Sequence, residues 1–201
     1  MAKNTTPYSP TTQGVGYTGE GRHVCYINGK VTKMFDVWSK IFQRSYSKHY
    51  HKRYPTYVGC SVDEKWHCFQ DFGDWFEENY KPEYMQNWEL DKDIIVNSNK
   101  IYSTNTCAFV PKEVNYLFKS TKSFRGDCPI GVRKQGDKFV ATIRINNKQT
   151  YLGSFSTMEA AFLSFKTAKE KYIKEVADKY KDTLDPQVYK SMYSYEIKIT
   201  D

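Results

Sequence analysis

The sequence predicts an α+β protein in two units: an N-terminal ββα unit with flanking helices, and a C-terminal three-stranded antiparallel sheet packed on one helix. Three observations carry this. Residues 138–145, KFVATIRI, alternate apolar and polar side chains as a half-buried strand does. Ala161, Phe162, Phe165, Ala168, Tyr172, Ile173, Val176 and Tyr180 recur at helical spacing and form one apolar stripe. Between residues 88 and 119 the chain reads strand, loop, strand, helix.

The elements follow in order. Residues 1–21 are rich in Thr, Pro, Gly and Ser and read as a flexible arm. Asn28-Gly29 inside VCYINGKVTK is the turn of a short hairpin. Met34, Val37, Trp38, Ile41, Phe42 and Tyr46 then share one helical face, with Lys40, Arg44 and Lys48 on the other and Lys52 and Arg53 after them. That basic face reads either as solvated surface or as a phosphate contact. Over 61–80, Trp66, Phe69, Phe72 and Phe76 make a stripe expected to be core, and the surrounding acids would repel DNA, so this acidic helix reads as scaffold. A strand near 88–91 and another near 107–110 precede a helix opened by Pro111. The unit 22–119 ends in a linker at 120–128. In 129–201, strands at 130–134, 138–145 and 149–155 are joined by turns at Gly136-Asp137 and Asn146-Asn147. Ser156 and Glu159 spell a capping box for the helix that follows. A short helix after Pro186 and an alternating segment, SYEIKIT, close the chain.

Charge is unevenly spread. Nine Lys/Arg face two acids in residues 1–60, two face eight in 61–90, and fifteen face ten in 120–201, for a net charge of +7. Basic ends around an acidic insert favour a polyanionic partner. The cysteines (25, 60, 68, 107 and 128) are odd in number and form no C-x-x-C pair, which argues against a disulfide framework and a zinc knuckle. No run is long and apolar enough to predict a membrane span or a signal peptide, so no membrane partner and a reducing, intracellular setting are expected.

The stretch GVRKQGDKFVATIRINNKQTYLGSFSTMEAAFLSFKTAKEKY resembles the apetala-type (ethylene-response-factor) DNA-binding domain in its Gly-Val opening, its F-x-A-x-I-R strand, its YLGSF turn and its T-x-E-x-A-A helix start. Phe139 stands where that family often has Trp. The resemblance implies a sheet lying in the major groove of double-stranded DNA. Arg133, Lys134, Arg144 and Lys148 would be the contacts, with Thr142 and Thr150 on the same free face. Arginine suits guanine edges, and Lys and Thr suit phosphates.

Upstream, W-SKIFQRSY, YPTYVGCSV-EKWHCFQDF, LDKDI and YSTNTCAFVP resemble, in order, bacteriophage HNH homing-endonuclease-like proteins, which often carry the apetala-type module at their C-terminus. The resemblance implies a ββα nuclease site with a divalent ion, Mg or Mn, held by Asp91 and Asn115. Thr106 would stand at the middle position that braces the loop. It also implies action in the cytoplasm of an infected or lysogenic bacterial host. The position of the histidine base is Lys92, a departure. A lysine with the ordinary pKa of about 10.4 is protonated at neutral pH and a poor base, although it could neutralise phosphate charge. Asp93 is the alternative base or ligand, and the sequence does not place His49, His51 or His67. Two functions therefore fit: a metal-dependent DNA endonuclease using Asp91, Lys92 and Asn115, or a catalytically inactive, sequence-selective DNA-binding or regulatory protein. A protein-binding accessory role through the acidic segment is a third.

Overall fold

The computed structural model describes residues 6–118 and 127–200 and is a mixture of helix and sheet. It divides into two compact units, residues 1–111 and 112–201. The helix carrying Asn115 therefore falls with the C-terminal unit, although the sequence reading set the boundary at 119/120. Residues 120–126 of the expected linker lie outside the described residues.

In the N-terminal unit, Asn28 and Gly29 both take positive φ, 49° and 74°, which closes β1 (Tyr26–Ile27) onto β2 (Lys30–Val31) through a two-residue turn. Thr32 accepts from the Phe35 amide at 3.2 Å and so caps α1 (Lys33–Tyr46). This helix buries Trp38, Ile41 and Phe42. The next helix, α2 (Lys48–Arg53), buries nothing.

The expected helix over 61–80 is shorter. Residues 61–63 are extended, because Ser61 donates to the Lys100 carbonyl and Asp63 to the Tyr102 carbonyl. This pairs β3 (Ser61–Val62) in parallel with β5 (Ile101–Tyr102). After a 3-10 turn at Glu64–His67, α3 spans Phe69–Asn79. Its aromatic stripe is core: Phe69 and Phe72 are fully buried, and Trp75 and Phe76 pack their rings on Phe109. Phe109 belongs to β6 (Ala108–Pro111), which pairs antiparallel with β4 (Trp88–Asp91).

Residues 16–19 lie against the unit's core, while most of residues 6–15 are exposed. The Tyr17 amide donates to the His67 carbonyl and the Phe69 amide to the Tyr17 carbonyl, both at 2.9 Å. A methyl group on Gly16 would stand 2.9 Å from both the Trp38 and Phe42 rings, so the backbone approaches the core where a side chain cannot. Composition suggested flexibility, but Gly here permits contact.

In the C-terminal unit, α4 (Lys112–Leu117) lies beside α5 (Met158–Lys179), with Glu113 accepting from Lys179 at 2.5 Å and from the Tyr180 hydroxyl at 2.9 Å. The sheet runs in the order β7 (Val132–Gln135), β8 (Lys138–Ile145), β9 (Lys148–Phe155), all antiparallel. Asn146 and Asn147 have φ of 48° and 62°, as a two-residue primed turn requires. The turn is also tied to α5: the Asn146 amide donates to the Tyr172 hydroxyl, which donates to Asn146 Oδ1, each at 3.3 Å. Gly131 has a φ of 77°, and a Cβ there would run into the Phe165 ring of α5.

Three local expectations need correction. The ladder register shifts between Ala141 and Thr142, and Val140 is buried along with Ala141 and Ile143, while Phe139 and Ile145 are only half-buried. Thr157, not Ser156, caps α5, accepting from the Ala160 amide at 3.2 Å. Strand β9 runs through Phe155, so the helix starts one residue later and Glu159 cannot complete the box. Finally, SYEIKIT is not a strand. Beyond α6 (Pro186–Tyr193), Ile197 is buried while its amide donates to Glu170 at 2.9 Å and its carbonyl accepts from Lys166 at 3.0 Å, so the tail docks on side chains of α5.

Candidate functional site

The ladder decides which side chains share a face, because residues directly opposite one another point the same way and neighbours along a strand point opposite ways. Val132 faces Ala141, and both are buried on the side that carries Ile143, the side packed against α5. Arg133 is opposite Val140, so it shares the other face with Thr142 and Arg144. Across the Asn146-Asn147 turn, Gln149 pairs with Arg144 and Tyr151 with Thr142, and Gln149 Nε2 donates to Thr142 Oγ1 at 3.2 Å. Arg133, Arg144 and Gln149 are exposed, and Tyr151 is 63 % exposed. This outer face is thus a row of two guanidiniums, an amide, a hydroxyl and a phenol.

The ladder also separates residues that the sequence reading grouped together. Lys134 is opposite Phe139, Lys148 opposite Ile145 and Thr150 opposite Ile143, so all three have the register of the helix side. Both lysines lie next to a turn and stay exposed. Gln149 and Tyr151, absent from the sequence reading, take their places on the outer face. The two-residue turn could have revealed them, since it fixes the β8–β9 register outright.

The second candidate site lies at the end of the β4–β6 pair. Asp91 is half-buried, and its Oδ1 accepts from the Asp93 and Ile94 amides, each at 2.8 Å. Burial pushes its carboxyl above the ordinary Asp value, the nearby Asp93 charge adds to this, and the two amide bonds oppose it. Lys92 is 7 % exposed. Its ammonium donates to Asp93 Oδ1 and, at 2.8 Å, to the Asn99 carbonyl, and lies 5.8 Å from the Tyr102 ring centre. Asn99 returns a bond from its own side chain to the Lys92 carbonyl at 2.8 Å. Thr106 bonds the Ile101 carbonyl at 2.8 Å and the Ser103 hydroxyl at 2.9 Å, so it braces the loop between β5 and β6. Beside this loop, burial pushes the Cys107 thiol up to about 12, making it an inert core thiol. Arg44 bonds Tyr102 and lies 5.7 Å from the Tyr57 ring centre; burial disfavours its charge, but the two tyrosines hold it above its ordinary value, so it stays cationic.

Within the N-terminal unit, Asp91 and Asp93 do not by themselves make a divalent-ion site. Asp91 Oδ1 is occupied by backbone amides, and the neighbouring carboxylate of Asp93 holds an ammonium that would repel a metal. Among the described residues, no group of three or more His, Cys, Asp or Glu side chains is arranged to hold one. Asn115 is half-buried on α4, in the other unit. No histidine bonds Asp91 among the described residues: His23 pairs with Asp74 at 2.9 Å, His51 with the Arg44 carbonyl at 2.8 Å and His67 with the Val62 carbonyl at 3.1 Å. No helix among them is long and apolar enough to cross a membrane. Set against known proteins, the chain matches no family model, no curated protein and no solved structure.

Proposed function

We propose that this chain is a sequence-selective double-stranded DNA-binding protein that reads the duplex with the outer face of β7–β9. The observation that carries the reading is the gathering of Arg133, Thr142, Arg144 and Gln149 on the face opposite the helix-covered one. A narrow twisted sheet fits the major groove, arginine offers guanine two parallel donors, and glutamine matches the paired donor and acceptor of adenine. The resemblance to the apetala-type domain supports the same groove. Lys134 and Lys148, at the ends of the ladder, would serve as phosphate contacts that position the sheet.

We read the N-terminal unit as an HNH-like scaffold without hydrolytic activity, carried by a phage-derived protein that works in the cytoplasm of a bacterial host. The self-paired Lys92 supports this. One observation favours the endonuclease alternative: Asp91 sits at the end of a strand with its pKa raised by burial, as a general base would. Incubating plasmid DNA with the full chain and Mg or Mn separates the two. The proposed reading expects intact plasmid together with a sequence-dependent gel shift. Cleavage by the wild type that Asp91→Ala abolishes would establish the endonuclease instead, and absence of any gel shift would remove DNA binding altogether.

A further inference from the structure

Residues 37–62 contain five Lys/Arg and no Asp or Glu. Much of this charge sits on α2, none of whose side chains is buried. Lys48, Lys52 and Arg53 are exposed, and among the described residues no carboxylate lies within ion-pair distance of any of them. Lys40 differs, since Asp36 holds it at 2.7 Å. Beside these cations, three tyrosine rings pack on one another in tilted and edge-on contacts, with Arg53 at one end of the row and Arg44 at the other. Arg53 lies 5.5 Å from the centre of Tyr54, Tyr54 lies 4.6 Å from Tyr50, Tyr50 lies 5.6 Å from Tyr57, and Arg44 covers Tyr57. Lys100 joins the edge of this surface by donating to the Thr56 carbonyl at 2.7 Å.

We propose that this cation–tyrosine surface of the N-terminal unit is a second DNA contact, which takes the phosphodiester backbone of a duplex without regard to sequence. The inference rests on the reading that the chain binds double-stranded DNA. Charge complementarity selects the partner: unpaired cations on a solvated helix meet phosphates by releasing counterions, and tyrosine hydroxyls donate to phosphate oxygens. The ring contacts hold Arg44 and Arg53 in place, so less side-chain freedom is lost on binding. The outer sheet face would then choose the site while this surface adds affinity that does not depend on it.

The test is a salt titration of duplex binding by the full chain, on a random-sequence duplex, with Lys48→Ala/Lys52→Ala/Arg53→Ala beside the wild type. All three side chains are solvated and alanine favours helix, so the fold is retained, which circular dichroism verifies. Loss of three phosphate contacts should reduce the slope of log affinity against log salt by roughly 2–3. The same variant should keep its preference for a selected site over random sequence, whereas Arg144→Ala should lose that preference and keep the wild-type slope to within about 1. An unchanged slope in the triple variant overturns the inference while leaving the sheet reading intact. Adsorption of the wild type to phosphatidylserine vesicles, lost in the triple variant while its DNA slope is unchanged, would assign the surface to a membrane and overturn the inference too. Absence of any duplex binding by the wild type overturns both readings together.

Discussion

Lys92 and Arg144 are both cations on short antiparallel strand pairs or at their ends, yet the fold treats them in opposite ways. Lys92 is withdrawn from water and spends its donors on Asp93, on the Asn99 carbonyl and on the face of Tyr102. Asp91, one residue earlier, likewise gives its Oδ1 to two amides of its own loop. Arg144 stands exposed on the outer sheet face with no carboxylate in ion-pair range among the described residues. A charge whose partners lie within the loop holds the loop together. A charge left to solvent on a rigid strand is held ready for a partner from outside, at little cost in ordering.

Substitutions can break this contrast. The largest effect expected is on Lys92→Ala, which leaves the half-buried Asn99 carbonyl without its donor. Chemical denaturation should show a loss of about 1.5–3 kcal/mol, with duplex affinity unchanged. A fall in affinity without a fall in stability would mean that Lys92 faces a ligand after all. Arg144→Ala should do the reverse, weakening binding to a selected duplex by about 1–3 kcal/mol with stability held within about 0.5 kcal/mol. Within the C-terminal unit, Tyr172→Phe removes the hydroxyl that ties α5 to the Asn146 turn. It should cost about 0.5–1.5 kcal/mol of stability, read by thermal melting.

The smallest effect is expected on Asp91→Asn, which keeps an acceptor for the Asp93 and Ile94 amides while removing the half-buried charge. The pH dependence follows from the raised pKa. The folded state holds the Asp91 proton more tightly than the unfolded chain, so this group favours folding below the ordinary Asp value. That contribution is lost as pH rises from the ordinary value through the raised one, and it is flat above. Melting curves of Asp91→Asn should therefore match or exceed wild type near neutral pH and lack this fall. A lower melting temperature near neutral pH would mean that the carboxylate charge itself is required, as it would be at a cation site.

Local chemistry made much of the fold legible. Asn28-Gly29 and Asn146-Asn147 announced their turns because positive φ is a property of the residues themselves, and the aromatic stripes of α1 and α3 and the apolar stripe of α5 announced their buried faces. What stayed hidden depended on contacts distant in sequence. Nothing in residues 6–21 signals that Tyr17 bonds to residues 67 and 69, or that Ile197 docks through Lys166 and Glu170 instead of a sheet edge. The interfaces were legible in the same uneven way. Arg133 and Arg144 follow from alternation, but placing Lys134 and Lys148 with them overlooked the parity of the ladder, and the burial of Lys92 depends on where Asn99 and Tyr102 return in space.

The β8 strand assigns its two jobs by parity. Ala141 and Ile143 form the seam with α5, while Thr142 and Arg144 face outward with Gln149 and Tyr151, which take no part in that seam. Only Val140 among the even positions from 140 to 144 is buried. Under the proposed reading, target choice falls to the outward-facing residues and packing to the others on the same eight-residue strand. A descendant, or a designer, can exchange the exposed side chains of that face while leaving the seam with α5 in place.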